Sequence, residues 1–308
     1  MSGAVVRLQP RSSKAARIPL AVVIVTYNSA EVLGGLLDSL VTGLADVPDA
    51  IVIVADNDSS DTSIDIAEHH PIGARVLRTG RNGGYAAGIN AAAATVEPDV
   101  AILVLNPDIR LEPGTARRLL ARAAEPDVGV VVPQMRNVDG TIALSLRREP
   151  SLQLMWAQAL LGPSRAAHLG MGEMIAEPAA YREAREVDWA TGAALLVTPR
   201  ARACAGRWDE SFFLYSEEVD YQRRVRACGF RVVYEPEARV THIGGDYMQS
   251  PTLAALMTSN QIRYFGRHHG RLETVLFRWA IIAFGLLRAW KSRAHRAVLR
   301  AGMTPDGQ

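Results

Sequence analysis

Three acids, Glu217, Glu218 and Asp220, stand between an aromatic cluster and an Arg pair in FFLYSEEVDYQRR (212–224). A helix start favours acids through its dipole whatever the protein does. Acids gathered this way also suit a general base for a hydroxyl nucleophile. On a helix, positions 217 and 220 share a face more nearly than either does with 218, so the three do not all point into one site. Asp108 lies just past an apolar run in VLNPDIR (104–110). Asn-Pro-Asp is an ordinary turn, but a carboxylate there can also hold Mg²⁺ or Mn²⁺ against phosphates. His242 ends a β-type run before Ile243-Gly244-Gly245. A lone His is usually structural; with Asp108 it would complete a metal site, and imidazole tilts that site toward Mn²⁺.

Two further clusters point to nucleotide chemistry. ADNDSSDTS (55–63) is a turn and helix cap by composition. A calcium loop starting at Asp56 would need Gly at 61 and Glu at 67, where the chain has Asp61 and Ala67, so calcium is excluded. Asp56 is left as an acceptor for a base or ribose. RNGGYAAGIN (81–90) is Gly-rich and enters a helix, but it has neither the G-x-G-x-x-G spacing nor a Walker Lys. Gly83 and Gly84 would let the backbone approach a diphosphate, which the free N–H groups of the helix start would bind.

The elements that must carry these residues alternate. AVVIV (21–25), IVIVA (51–55), ARVLR (74–78) and VAILVL (100–105) read as buried strands. Helical patterns separate them, the first with Val32, Leu33, Leu36, Leu37 and Leu40 on one face, then Thr62 to His69 and Tyr85 to Thr95. Continuous apolar strands between helices predict a parallel sheet covered on both faces, with ligands outside its carboxyl ends. The polar clusters fall there. GVVVP (129–133) and WATGAALLVTP (189–199) are predicted strands, Glu217 to Cys228 a helix, and RVVYEP (231–236) and ARVTH (238–242) two closing strands. Residues 150–187 are helical or loop, without a clear period.

The 308 residues are 48% hydrophobic and 21% charged, which excludes a disordered chain and suits one large α/β domain with a C-terminal elaboration. Cys204 and Cys228 are too few for a disulfide scaffold and fit no zinc spacing, so they read as packing thiols of a reducing compartment. The net charge of +2 is unevenly spread: +4 over residues 1–17, +7 over 267–300 and −8 over 18–266. An acidic body between basic ends argues against nucleic acid as partner and for contact with an anionic surface through an end. No secretory signal is evident. The late apolar stretch Trp279 to Leu287 is too short to span a bilayer, which needs about 20 residues. Val275, Trp279, Ile282, Leu286 and Trp290 are at helical spacing with Arg278 and Arg288 nearby and further cations beyond. This is either a helix packed on the body or on a second copy, or an interfacial helix on anionic lipid.

Taken in order, VTYN (25–28), DNDSSD (56–61), NGGYAAGIN (82–90), LNPD (105–108), WATGAALL (189–196), YSEEVDYQRR (215–224) and THIGG (241–245) resemble the family 2 glycosyltransferases of GT-A fold, over about Leu20 to His269. The likeness is greatest to a bacterial rhamnosyltransferase-like branch, which has Asn-Pro-Asp where other members have Asp-x-Asp. The resemblance implies a mostly parallel nucleotide-binding sheet flanked by helices, an acceptor-side mixed region and a C-terminal helical extension. The expected units are a basic, flexible N-terminus (1–17), a catalytic domain (18–266) and a basic amphipathic extension (267–308).

By position, the resemblance puts Thr26 and Asp56 at the nucleobase, Asn82 and Gly84 at the donor diphosphate and sugar, and Asn106 at the ribose. Tyr27, Asn28, Asn57, Tyr85 and Asn90 are also expected in the donor site. It puts Asp108 and His242 on Mn²⁺ or Mg²⁺, and Trp189, Thr191 and Gly192 against donor sugar and acceptor. The base falls at Glu218, with Glu217 and Asp220 orienting the helix; the family's usual Glu-Asp-x-Asp is Glu217-Glu218-Val219-Asp220 here. The implied activity is inverting, metal-dependent transfer of a sugar from a nucleotide donor to a lipid-linked glycan or cell-wall polysaccharide. The expected donor is dTDP-rhamnose, with UDP-galactofuranose as the alternative and a non-catalytic nucleotide-sugar-binding relative as the rival. The expected location is cytoplasmic, peripheral on the inner face of the membrane, with a homodimer as a further option.

Overall fold

The structure is a computed structural model that describes residues 18–244 and 250–304. The expected flexible N-terminus, Gly245 of THIGG and the last four residues lie outside the described residues. The first part alternates as expected: β1 (Leu20–Thr26), α1 (Ala30–Gly43), β2 (Ile51–Asp56), α2 (Ser63–His69), β3 (Arg75–Arg78), α3 (Tyr85–Ala93) and β4 (Ala101–Leu105). Every residue of β1 is buried, because helices cover both its faces. Leu33, Leu36, Leu37 and Leu40 of α1 are fully buried on one side of the sheet, each contributing about 2 kcal/mol. The small Ala86 and Ala92 let α3 lie close on the other side.

The later elements are β5 (Ile109–Leu111), α4 (Thr115–Ala123), β6 (Val128–Arg136), β7 (Leu146–Arg147), α5 (Leu152–Leu161), α6 (Pro163–His168), β8 (Arg185–Val187), β9 (Trp189–Ala190), β10 (Ala194–Val197), α7 (Pro199–Ala205), α8 (Glu217–Ala227), β11 (Arg231–His242), α9 (Pro251–His268), α10 (Arg271–Arg288) and α11 (Arg293–Met303). The main sheet runs β3-β2-β1-β4-β10-β6-β11-β5, with β8 also on β11. Strands β1 to β4 pair in parallel, β10 is antiparallel to both β4 and β6, and β11 is parallel to β6. This is an α/β sheet with a parallel half and a mixed half, as expected.

Four expectations change. The run 189–199 is not one strand: β9 pairs with β7 in a small separate sheet, and a turn at Thr191-Gly192 delivers the chain to β10. The two closing strands are one, β11, with a register shift between Glu235 and Arg239 where Pro236 has no N–H to donate. It is internal, flanked by β6, β5 and β8, and the short β5 was hidden in the turn sequence after Asp108. Cys204 and Cys228 are not separate packing thiols but a disulfide with Cα atoms 6.2 Å apart. The C-terminal ends of α7 and α8 meet there, a juxtaposition that a separation of 24 residues does not reveal. The boundary expected at 266/267 falls inside α9, so the helical unit begins at Pro251.

Helices α9, α10 and α11 share a core of their own with Phe265, Phe277, Ile281 and Val298. Helix α10 buries Phe277, Ala280, Ile281, Gly285 and Arg288. Its opposite face leaves Val275 49%, Trp279 57% and Leu286 60% exposed, and Trp290 just beyond is 78% exposed. The helix is therefore packed on the body and still presents an apolar face. Among the described residues no helix is long and apolar enough to cross a membrane.

Candidate active site

The carboxyl ends of β1 and β2 meet at a buried pair. Thr26 donates its hydroxyl to Asp56 Oδ1 (2.9 Å), and the Ser59 N–H donates to Asp56 Oδ2 (2.9 Å). Both residues are almost wholly buried, so Asp56 shapes its loop through these bonds. Asn57 is equally buried and ties β2 to the Gly-rich loop by donating to the Gly84 carbonyl (2.9 Å). Asn28, at φ 50°, accepts from the Ser60 N–H (2.8 Å), while Tyr27 stands half-exposed beside it. Among the expected donor-site residues, Tyr27 offers an open aromatic face.

The Gly-rich loop serves a different neighbour from the one expected. Gly84 has φ +88°, and a Cβ there would lie 2.1 Å from the Phe213 carbonyl oxygen. That carbonyl accepts the Tyr85 N–H (2.8 Å), so the close approach and one N–H of the α3 start serve the acidic motif's turn. Asn82 closes the loop by accepting from the Gly84 N–H (3.2 Å). Tyr85 reaches across to donate its hydroxyl to the Gly192 carbonyl (3.0 Å). Asn90 is not brought to this cluster: its side chain binds the Trp208 carbonyl and N–H and Glu210, inside the fold.

Asp108 and His242 do come together, because β5 and β11 pair antiparallel with His242 opposite Ile109. His242 Nε2 is 3.0 Å from Asp108 Oδ2, and Asp108 Oδ1 is buried without a partner. Gly244 crosses the carboxylate so closely that a Cβ would lie 2.2 Å from Oδ2. An orphaned carboxylate oxygen beside an imidazole nitrogen fits a divalent ion. Among the described residues no group of three or more His, Cys, Asp or Glu is set to hold one, so the remaining ligands would come from phosphate oxygens and water. Asn106 donates its backbone N–H to the Ala193 carbonyl (2.8 Å), which sets the start of this loop against β10.

The three acids separate as their helical positions require. Asp220 accepts from Arg224 Nε (2.9 Å) and is held by that ion pair. Glu217 and Glu218 each keep a buried Oε2 with no partner. Burial, then the neighbouring Glu218, pushes the Glu217 carboxyl well above the usual range; burial likewise raises Glu218, with Arg147 opposing. Gly192 would place a Cβ 3.2 Å from the Glu218 Cβ, so the β9–β10 turn lies directly on this acid. Thr191 in the same turn has a buried, unpartnered hydroxyl, and Trp189 donates its ring N–H to the Arg148 carbonyl (2.9 Å). Burial, then the charges of Glu217, Glu218 and Asp108, pushes Tyr85 far up, which keeps its hydroxyl a donor. One electrostatic neighbourhood therefore holds Tyr85, Asp108, Glu217 and Glu218.

Three further features support the site, two of them from outside the motifs. The turn before α8 puts Phe213, Tyr215 and Ser216 at positive φ (62°, 68° and 73°), a conformation costing about 1–3 kcal/mol per residue. Asn260 of α9 holds that turn, donating to the carbonyls of Phe212, Leu214 and Tyr215 (2.6, 2.8 and 3.2 Å). Glu173 lines a small pocket with Glu218, Trp189 and Tyr264. Burial pushes its carboxyl up to about 7, with Arg147 opposing and Glu218 and Glu149 adding to the rise. Neither Asn260 nor Glu173 sits in a motif. A polar residue in the apolar pattern of α9 was the one available signal for Asn260; Glu173 had none.

Comparison with known proteins gives three findings. The family described as Glycosyl transferase family 2 matches residues 21–173. An N-acetylglucosaminyl-diphospho-decaprenol L-rhamnosyltransferase of Mycobacterium tuberculosis is 34% identical over 284 residues, 85% of this chain and 89% of the relative. Among solved structures, a mannosyltransferase of Pyrobaculum calidifontis in complex with GDP-Man and Mn²⁺ superposes with TM-score 0.58 at 15% identity, covering 93% of this chain and 80% of that one. GalNAc-T7 with UDP, GalNAc and Mn²⁺ gives 0.63 at 13% identity, covering 94% and 56%.

Proposed function

The chain belongs to glycosyl transferase family 2 and is a glycosyltransferase, and we propose that it transfers L-rhamnose from dTDP-rhamnose, with inversion, to the sugar of a lipid-linked diphosphate. The observation that carries the chemistry is the pair Glu217 and Glu218, each with a buried, unpartnered Oε2, with Glu218 against Gly192 and both acids, like Asp108, acting on Tyr85. The near full-length likeness to a rhamnosyltransferase that acts on a diphospho-decaprenol supports the sugar and the acceptor class.

In this reading Glu218 takes the proton of the acceptor hydroxyl as its oxygen attacks the anomeric carbon. The carbon–oxygen bond to the nucleoside diphosphate breaks on the opposite side, which inverts the centre. A base desolvated by burial is a stronger base, and its raised proton affinity drives that transfer. Asp108 and His242 are the residues that would hold Mn²⁺ or Mg²⁺, whose bound charge supplies electrostatic stabilisation to the departing diphosphate. Tyr27 would stack on the nucleobase, and Trp189 with Thr191 would border the acceptor. The exposed α10 face and the cations after it support a peripheral position on an anionic membrane surface.

The test is a donor panel with dTDP-rhamnose and UDP-galactofuranose, scored as nucleoside diphosphate released with Mn²⁺, with Mg²⁺ and in EDTA. Release from dTDP-rhamnose that needs a divalent ion and is lost in Asp108→Ala is the expected result. Release from UDP-galactofuranose alone would replace the donor, and full activity of Asp108→Ala in EDTA would remove the metal.

A further inference from the structure

A cavity of about 780 Å³ lies between α5, α6, α9, α10 and α11, within the range of small-molecule sites. Its lining combines apolar Met155, Leu161, Ile281, Phe284 and Val298 with the basic side chains of Arg165, Arg288, Lys291 and His295. Among the described residues none of these four cationic groups pairs with a carboxylate. Arg288 is 8% exposed, and its guanidinium donates to the carbonyls of Ala159 (2.8 Å), Phe284 (3.3 Å) and Gln158 (3.4 Å). These carbonyls include the α5 end, so the charge is held by a helix C-terminus and left without a counter-ion. Burial, with the charges of Arg288 and Lys291 beside it, pushes His295 below the ordinary imidazole range. The buried Arg288 guanidinium is costly without an anion, while Arg165 and Lys291 are exposed and His295 is half-buried beside it.

The cavity is continuous in its lining with the reacting centre. Glu173, Met257 and Gln261 border both it and the small pocket that contains Glu218 and Trp189. Its lining also includes Leu161, beside the exposed Leu160, and the cations Arg288 and Lys291 alternate in sequence with the exposed Leu287 and Trp290.

We propose that this cavity is the acceptor subsite and takes an amphiphile with a diphosphate between a sugar and a hydrocarbon chain. The diphosphate lies on Arg288, Lys291 and His295, the sugar passes Glu173 toward Glu218, and the chain leaves over Leu161 along the apolar face of α10. This assignment rests on the lipid-linked acceptor of the preceding section and adds where its charged head is held. Phosphate bound by the Lys291 ammonium and a His295 ring N–H gains two hydrogen bonds, the first of them charge-assisted, so losing both weakens binding by about tenfold or more.

The test measures binding of farnesyl diphosphate to the full chain by calorimetry in EDTA, with farnesol and inorganic pyrophosphate as comparators. Farnesyl diphosphate is expected to bind at least about tenfold more tightly than either. In the double variant Lys291→Ala, His295→Ala its affinity falls about tenfold, and the KM for acceptor rises while that for the nucleotide sugar stays within about twofold. Both side chains are partly exposed, so this variant keeps the fold that Arg288→Ala would endanger. Unchanged farnesyl diphosphate affinity in the double variant overturns the proposal, as does competition of farnesyl diphosphate with dTDP. Metal-dependent donor hydrolysis by the unaltered chain, measured in parallel, reads the preceding section's reading separately.

Discussion

At the scale of single residues, the carboxylates decide between reaction and stability. Glu218→Gln keeps shape but cannot take a proton, so transfer should fall by about 10²–10⁴-fold while donor binding survives. Asp220→Asn should cost far less, because Asp220 already answers to Arg224; the reverse ranking in transfer assays would reassign the base. The transfer rate should rise with pH through an apparent value above the ordinary 4.5, since the raised Glu217–Glu218 pair must ionise. Linkage has the opposite sign for stability. A carboxyl raised on folding makes the folded state bind more protons, so stability falls as pH climbs from 4.5 through the raised value. Glu217→Gln should therefore raise the melting temperature at neutral pH and flatten its pH dependence; a melting curve at several pH values reads both.

At the scale of elements, the catalytic helix α8 is held from outside itself. Asn260 of α9 grips three carbonyls of the positive-φ turn, and the Phe213 carbonyl of that turn is in turn fixed by Tyr85 at the start of α3. Asn260→Ala takes the amide donor from this turn, with the Phe212 carbonyl keeping only the Leu214 N–H (2.7 Å), and a lost hydrogen bond of this kind costs about 1–3 kcal/mol before relaxation. The expected outcome is a large loss in kcat with a modest change in donor affinity, and wild-type kinetics would show that the turn holds itself. The other end of α8 is tied by Cys204–Cys228. A bond closing a loop of this length stabilises by about 3 kcal/mol, so Cys204→Ser should lower the melting temperature without reductant and change nothing in its presence. Equal melting of the two proteins without reductant would mean that the thiols stay apart.

At the scale of the whole molecule, the exposed face of α10 and the basic residues around α11 belong to the same helical unit. Apolar burial plus attraction of Lys291, Arg293, Arg296 and Arg300 to anionic headgroups should bind the chain to liposomes at low salt, with release as salt screens the charges. Trp279→Glu should weaken this attachment while leaving α10 packed, because Trp279 is 57% exposed. Flotation with anionic and neutral vesicles checks it; no binding to anionic vesicles, together with concentration-dependent dimerisation, would give the same face to a second copy.

Much of the fold was legible along the chain. The four parallel strands with α1, α2 and α3 followed from local periodicity, since a buried β-run and a one-sided Leu pattern are contiguous in sequence. So did the placing of Asp108, His242, Glu217 and Glu218, because short motifs with characteristic spacing sit at strand ends and helix starts. What sequence could not decide was anything set by partners distant along the chain. The commitment of Asp56 and Asn90 to internal bonds, the Phe213 carbonyl in the space Gly84 leaves, and the disulfide across α7 and α8 arise only when the sheet order is in place. The strand bounds in the mixed half were misread for the same reason: β10 and β11 are delimited by partners 45 to 133 residues away, not by their own alternation. Periodicity tells a residue which face to bury; only long-range packing tells it what waits there.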